Sequence, residues 1–73
     1  MKEFKDYEGV VCKDRAELRL LAKIAEEKGY KVSPKIKRAK YNHLIFYEGY
    51  FCDATDRAIK FKITKEEFLE RIN

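Results

Sequence analysis

Two helix-start signals, one at Asp14 and one at Thr64, constrain the fold of this sequence more than any other feature. Asp14 stands three residues before Glu17, and Thr64-Lys65-Glu66-Glu67 has the spacing of a capping box, in which side chains satisfy the free N–H groups of a first helical turn. The residues between the two helices read as extended segments separated by turns. The sequence therefore predicts the element order β-α-β-β-β-α.

The first helix is predicted over residues 15–28, with Gly29 as its left-handed C-cap. Leu20 and Ile24 widen its apolar stripe beyond what one sheet face covers. Either the second helix covers this excess, or it forms an exposed patch for a partner or a second copy of the chain. The positions that define the stripe recur at helical spacing and are Leu18, Leu21, Ala22 and Ala25.

Four extended segments are predicted, and tight turns at Glu48-Gly49 and Thr55-Asp56 separate the last three. The last segment alternates, which predicts that Lys60 and Lys62 face solvent while Ile59, Phe61 and Ile63 face the core. We expect an α+β domain spanning residues 1–73, with a three- to four-stranded antiparallel sheet and both helices on one face. The segments cover residues 8–12, 39–47, 50–54 and 57–63.

Positive charge is concentrated in the middle of the chain. The net charge is +4, yet residues 31–62 hold eight cations against three anions, and residues 1–30 balance. The helices are balanced as well, so neither is expected to offer a basic recognition face. The surplus surrounds the stretch KIKRAKYNHLIFY, residues 35–47.

In a continuous strand, this stretch would place tyrosines and a histidine on the sheet face that the helices leave open. The same alternation would turn Arg38 and Lys40 toward the core, which indicates a bulge or a protruding loop near Lys37 to Lys40. Leu44 and Phe46 fit the covered face. The candidate binding residues are therefore Lys37, Arg38, Lys40, Tyr41, His43, Tyr47, Lys60 and Lys62.

The sequence carries no catalytic or metal-binding signature. His43 is the only histidine and Ser33 the only serine, and the three glycines are isolated. We therefore expect no enzymatic activity, no cofactor and no metal, and we interpret Cys12 and Cys52 as small apolar residues of a reducing cytosol. No apolar run approaches the ~20 residues of a membrane span, and the N-terminus lacks a signal peptide's apolar core, so we expect a cytoplasmic protein.

Three interpretations of the basic stretch remain open. It is a solvated sheet face, a protein-binding surface, or a site for nucleic acid or an anionic nucleotide. Lysine on an exposed sheet face also protects against aggregation, which makes the first interpretation the simplest. Tyrosines beside lysines fit the other two, because tyrosines anchor protein interfaces and also stack on bases.

The chain resembles small accessory proteins of bacteriophages and mobile elements. The resemblance lies in EEKGYKVS (residues 26–33), NHLIFYEGYF (residues 42–51) and FKITKEEFLERI (residues 61–72). It implies a protein of the bacterial host cytoplasm that binds a host protein or enzyme complex stoichiometrically, as anti-CRISPR and other anti-defence inhibitors do. Many inhibitors of nucleic-acid enzymes are acidic DNA mimics, and the basic centre of this chain departs from that pattern.

Overall fold

The computed structural model describes residues 3–73, and the predicted order β-α-β-β-β-α is confirmed there. The domain belongs to the α+β class. Two short 3-10 helices interrupt the order, and we name the first of them the basic 3-10 helix. The elements are β1 (Glu8–Val10), α1 (Arg15–Glu27), the basic 3-10 helix (Pro34–Arg38), β2 (His43–Tyr47), β3 (Tyr50–Ala54), the second 3-10 helix (Asp56–Ala58), β4 (Phe61–Lys62) and α2 (Lys65–Ile72).

The helices begin and end where the capping signals predict. Asp14 Oδ1 accepts the Glu17 N–H at 2.8 Å, and Thr64 Oγ1 accepts the Glu67 N–H at 3.0 Å. Past the end of α1, Gly29 adopts φ 96°, and the Tyr30 N–H returns to the Ala25 carbonyl at 3.1 Å. This is a Schellman C-cap, in which a left-handed glycine lets the chain leave the helix with its last carbonyls satisfied.

The sheet has the strand order β3-β2-β1-β4 and is mixed. β2 pairs antiparallel with both β1 and β3, whereas β1 and β4 are parallel. The expectation of a purely antiparallel sheet is therefore wrong at β4. After β3 the chain crosses one face of the sheet instead of turning back on itself. β4 therefore lies beside β1 and runs in the same direction as β1.

The β2–β3 hairpin forms at the predicted turn, but β2 is shorter than expected. Glu48 and Gly49 both have positive φ, 49° and 86°, as a type I′ turn requires. The predicted strand of residues 39–47 begins only at His43. Its first part is a loop, in agreement with the interruption predicted near Lys37 to Lys40.

The main core lies between the sheet and the two helices. Leu44 is fully buried in it, and the half-buried Phe46 packs against it, so their predicted orientation is confirmed. Phe4, Phe51 and Phe68 join Phe46 in a cluster of aromatic rings, with the Phe51 and Phe68 centroids 5.5 Å apart in an edge-to-face arrangement. Such pairs stabilise a core beyond the apolar area they bury.

A second, smaller core covers part of the sheet's other face. It consists of Ile45, Ala54 and Ile59, with Tyr7, Cys52 and Ala58 packed around it. Ile59 comes from the crossing segment between β3 and β4. The face that the sequence predicts to be open is therefore partly closed.

The predicted alternation of the last strand is wrong. Ile59 packs on the second core, Ile63 packs against the main core, and Phe61 is 48% exposed. Alternation requires a regular strand, but here the second 3-10 helix and the crossing reduce the strand to Phe61–Lys62 at the sheet edge.

The wide apolar stripe of α1 is only partly covered. Ile24 packs against the main core, whereas Leu20 stays 55% exposed. Within residues 3–73, no helix is long and apolar enough to cross a membrane.

Candidate functional site

The basic 3-10 helix is an anchored turn that presents cations to solvent. Ser33 precedes Pro34 at the first position, and its Oγ accepts the Lys35 N–H at 3.3 Å. Proline is favoured there because its φ suits a helical turn and its missing N–H would have no partner anyway. Ile36 is buried and fixes the turn against the core. The residues on either side of Ile36 therefore point away from the core.

Asp53 holds the loop that follows the turn. Its Oδ2 accepts two backbone N–H groups, from Lys40 and from Tyr41, each at 3.0 Å. Asp53 lies in β3, an edge strand whose outer side is bridged by Val32 opposite Phe51. The loop is thus fastened to the sheet, and the positions of Lys40 and Tyr41 follow from that attachment.

The turn and the loop enclose an open cleft of about 760 Å³, which we call the basic cleft. Four of its residues are cations, and Asp53 is its one carboxylate. Among residues 3–73, no carboxylate lies within ion-pair distance of these four cations. The ion pairs in that part of the chain are formed by other cations, namely Lys62, Lys65 and Arg71. The lining residues are Pro34, Lys35, Lys37, Arg38, Lys40, Tyr41 and Asp53.

A second cleft, the helix cleft, lies between the basic 3-10 helix and α1, with a volume of about 590 Å³. Arg19 and Lys23 contribute its cations from the α1 side. Arg15, one turn earlier on α1, donates from Nη1 to the Ala39 carbonyl at 3.4 Å. The charge of α1 balances in total, as the sequence indicates, but the expectation that α1 lacks a basic face is wrong. The four-residue spacing of Arg15, Arg19 and Lys23 in the sequence indicates this basic face, because residues four apart lie on one face of a helix.

The positive surface extends over three adjacent clefts. The third, of about 380 Å³, is lined by Lys13, Asp14, Arg15, Lys40 and Asn42. Together the three clefts are lined by eight cations and three carboxylates, a net charge of +5, whereas the whole chain carries +4. These clefts, which are joined through Lys37 and Lys40, therefore carry more net positive charge than the whole chain.

The eight residues predicted for one site do not come together. Lys37, Arg38, Lys40 and Tyr41 line the basic cleft. His43 instead serves the fold, because its Nδ1 accepts the Cys12 N–H at 3.1 Å beyond the end of β1.

The other three predicted residues lie outside the cleft. Lys62 lies in β4, at the sheet edge opposite β3, and pairs with Asp56 at 3.1 Å. Three strand spacings, or roughly 14 Å, separate these two edges. Tyr47 and Lys60 lie on the sheet face away from the helices, where both contact the ring of Tyr7.

Sequence reasoning missed Tyr7. Its ring centroid lies 5.1 Å from that of Tyr47, and Lys60 Nζ lies 4.6 Å from the Tyr7 centroid. Interactions of the Tyr47 phenol with the Glu48 carboxylate and the Tyr7 hydroxyl raise the pKa of Tyr47 to about 12. Tyr7 adopts φ 70°, an uncommon conformation for a side chain of its size, and no sequence pattern marks it.

The two cysteines lie apart from the cleft. Cys12 is buried, and burial is the main cause that raises the pKa of its thiol to about 11. Its Sγ contacts the Val10 carbonyl at 3.6 Å. At neutral pH Cys12 is thus a protonated core residue, as interpreted from the sequence, and Cys52 is half-buried on the other face of the sheet. Among residues 3–73, no group of three metal-ligating side chains occurs.

Comparison with protein-family models, curated proteins and solved structures gives no match to this chain.

Proposed function

We propose that this chain is a non-enzymatic domain that binds the phosphate backbone of nucleic acid through the basic cleft. The observation that supports this most strongly is the group of four cations, Lys35, Lys37, Arg38 and Lys40, without carboxylate partners on one anchored segment. Like charges held close together repel one another. An anionic ligand relieves that repulsion and releases counterions from its own backbone.

The kind of cation favours nucleic acid over protein. Three of the four cations are lysines, and lysine is depleted at the centre of protein–protein interfaces. Phosphate backbones, by contrast, attract lysine and arginine alike through charge. The helix cleft adds Arg19 and Lys23 beside the basic 3-10 helix, so the positive surface continues beyond one cleft as a polymeric anion requires.

A second candidate is the acidic surface of a bacterial protein, which a phage-type accessory or anti-defence inhibitor would block stoichiometrically. Arg38 and the exposed Tyr41 favour this candidate, because arginine and tyrosine dominate the binding energy of many protein interfaces. The same cleft would serve, with carboxylates in place of phosphates.

The test is a titration of labelled single-stranded and duplex oligonucleotides, followed by fluorescence anisotropy across a salt series. Neutralising three to four phosphates should give a slope of log K against log[salt] of roughly −2 to −3 for a single strand. Lys35→Gln/Lys37→Gln should weaken binding and make that slope shallower by roughly 1.4, or 0.7 for each lost contact.

The matched control is Lys60→Gln/Lys62→Gln, which removes the same charge at the other side of the sheet and should leave the slope nearly unchanged. Equal effects of the two double variants would show that total charge and not the cleft determines binding. If the wild-type chain binds no oligonucleotide even at low salt, the nucleic-acid proposal is wrong. The second candidate then predicts capture of a bacterial protein by the wild type but not by Lys35→Gln/Lys37→Gln.

A further inference from the structure

The basic cleft is not uniformly positive. The four cations come from the turn and the loop, while Asp53 and Tyr41 are adjacent in the same cleft through the hydrogen bond from the Tyr41 N–H to Asp53 Oδ2. The other carboxylate oxygen, Oδ1, accepts no hydrogen bond from residues 3–73. A phosphate group is repelled from this part of the cleft. The cleft thus suits a ligand with an anionic part and a neutral part that carries hydrogen-bond donors.

A nucleotide unit has both parts. Resting on the function proposed above, we propose that the basic cleft holds one nucleotide of a single-stranded nucleic acid. Its phosphates contact the cations of the basic 3-10 helix, and its base stacks on the ring of Tyr41. Asp53 Oδ1 accepts a hydrogen bond from the amino group of the base, as carboxylates do from cytosine.

Tyr41 is positioned for stacking before any ligand arrives. It is 44% exposed, and its backbone N–H is fixed by Asp53 at 3.0 Å. No described residue stacks on its ring, whereas the exposed Tyr50 interacts with the Lys31 ammonium at 5.8 Å and Tyr47 with the ring of Tyr7. A base that stacks on Tyr41 therefore displaces no aromatic or cation-π contact formed by residues 3–73.

The geometry favours a single strand over a duplex. Bases in a duplex are stacked on one another, so a protein ring reaches a base face only where the base is unpaired. The basic 3-10 helix is five residues long and packs against both α1 and β3, so it is not a projecting helix of the kind that reads a major groove.

The experiment compares Tyr41→Ala, Tyr41→Phe and the control Tyr50→Ala, whose exposure in the wild type (45%) matches that of Tyr41. Affinity for a labelled single-stranded oligonucleotide is measured at fixed low salt, after circular dichroism has established that each variant is folded. Tyr41→Ala should weaken binding roughly 5-fold to 150-fold, the range found for one stacked base. Tyr41→Phe and Tyr50→Ala should each stay within about twofold of the wild type, because the first keeps the ring and the second lies outside the cleft.

The outcomes separate this inference from the proposed function. If Lys35→Gln/Lys37→Gln weakens binding but Tyr41→Ala does not, the cleft binds phosphate without base stacking and only the inference fails. A duplex that binds as tightly as the single strand overturns the inference as well. Absence of all oligonucleotide binding overturns the function itself. A parallel titration with a free mononucleotide identifies the source, since Tyr41-dependent binding of the mononucleotide alone assigns the cleft to a free nucleotide and not to a polymer.

Discussion

At the scale of single residues, Asp53 has two opposite effects on the basic cleft. Its carboxylate fixes the loop through the N–H groups of Lys40 and Tyr41, which favours binding because the cations are held in place. Its negative charge opposes phosphate in the same cleft. Substitution can separate the two effects, because an asparagine side chain keeps an acceptor oxygen and an alanine side chain keeps neither the acceptor nor the charge.

We predict that Asp53→Asn strengthens binding of inorganic phosphate severalfold, and that Asp53→Ala strengthens it less or weakens it. Charge alone would make both variants bind equally well, so the difference between them measures the contribution of the anchored loop. Isothermal titration with inorganic phosphate provides the comparison. Asp56→Asn, at an exposed ion pair with Lys62 away from the cleft, is the control and should leave affinity unchanged.

At the scale of elements, one buried ion pair fastens α2 to β1. Glu8 is only 3% exposed, and its carboxylate accepts from Arg71 Nη1 at 3.0 Å and from the Lys5 N–H at 2.6 Å. Arg71 also contacts Glu67 at 2.7 Å and lies over the ring of Phe4. Burial by itself raises the pKa of Glu8, but the hydrogen bonds from Lys5 and Arg71 outweigh it and hold that pKa below its ordinary value of 4.5.

We predict that Arg71→Met destabilises the fold by about 2–4 kcal/mol, because it leaves a buried carboxylate without its cation. The measurement is the urea midpoint at neutral pH. Glu67→Gln, which removes only the exposed part of the network, serves as the control and should cost less than about 1 kcal/mol.

The same pair predicts a dependence of stability on pH. Since the folded pKa of Glu8 is depressed, its contribution is complete above the unfolded value near 4.5 and is lost as the pH falls through the folded pKa. Glu8→Gln should therefore lower the urea midpoint at neutral pH. As the pH falls below 4.5, the urea midpoint of this variant should decline less steeply than that of the wild type. The exposed Glu70→Gln should follow the wild-type curve, and a Glu8→Gln curve parallel to that of the wild type would contradict the prediction.

At the scale of the whole molecule, local signals predicted most of the fold and only part of the site. The caps at Asp14 and Thr64 and the turn at Glu48-Gly49 depend on neighbouring residues, so the sequence contains what is needed to place them. The parallel placement of β4 and the path of Ile59 depend on how the chain crosses the sheet, which no local pattern encodes. The predicted site joined a loop near Lys37 to Lys40 to the open face of a strand over residues 39–47, and it split because that strand begins only at His43.

The distribution of charge could also be predicted only in part from the sequence. The central surplus could be counted from the sequence, whereas its union with Arg15, Arg19 and Lys23 required knowing that α1 packs beside the basic 3-10 helix. A helix whose total charge is zero still presents a charged face when its cations repeat every fourth residue. Total charge per element therefore underestimated the basic surface.

The crossing itself gives the last prediction, at Gly9 in the middle of β1. A Cβ at Gly9 would lie 2.5 Å from the Leu44 carbonyl oxygen and 2.8 Å from Ile59 Cγ1, so the crossing segment and β2 leave no room for a side chain. Gly9→Ala should cost about 2–3 kcal/mol through overpacking. Gly49→Ala is the matched control: no atom of residues 3–73 lies within 4 Å of the new Cβ, and only the positive φ of 86° opposes it, at about 1 kcal/mol. Urea unfolding of both variants checks the order, and an equal cost at the two positions would contradict the close approach of Ile59 to the sheet.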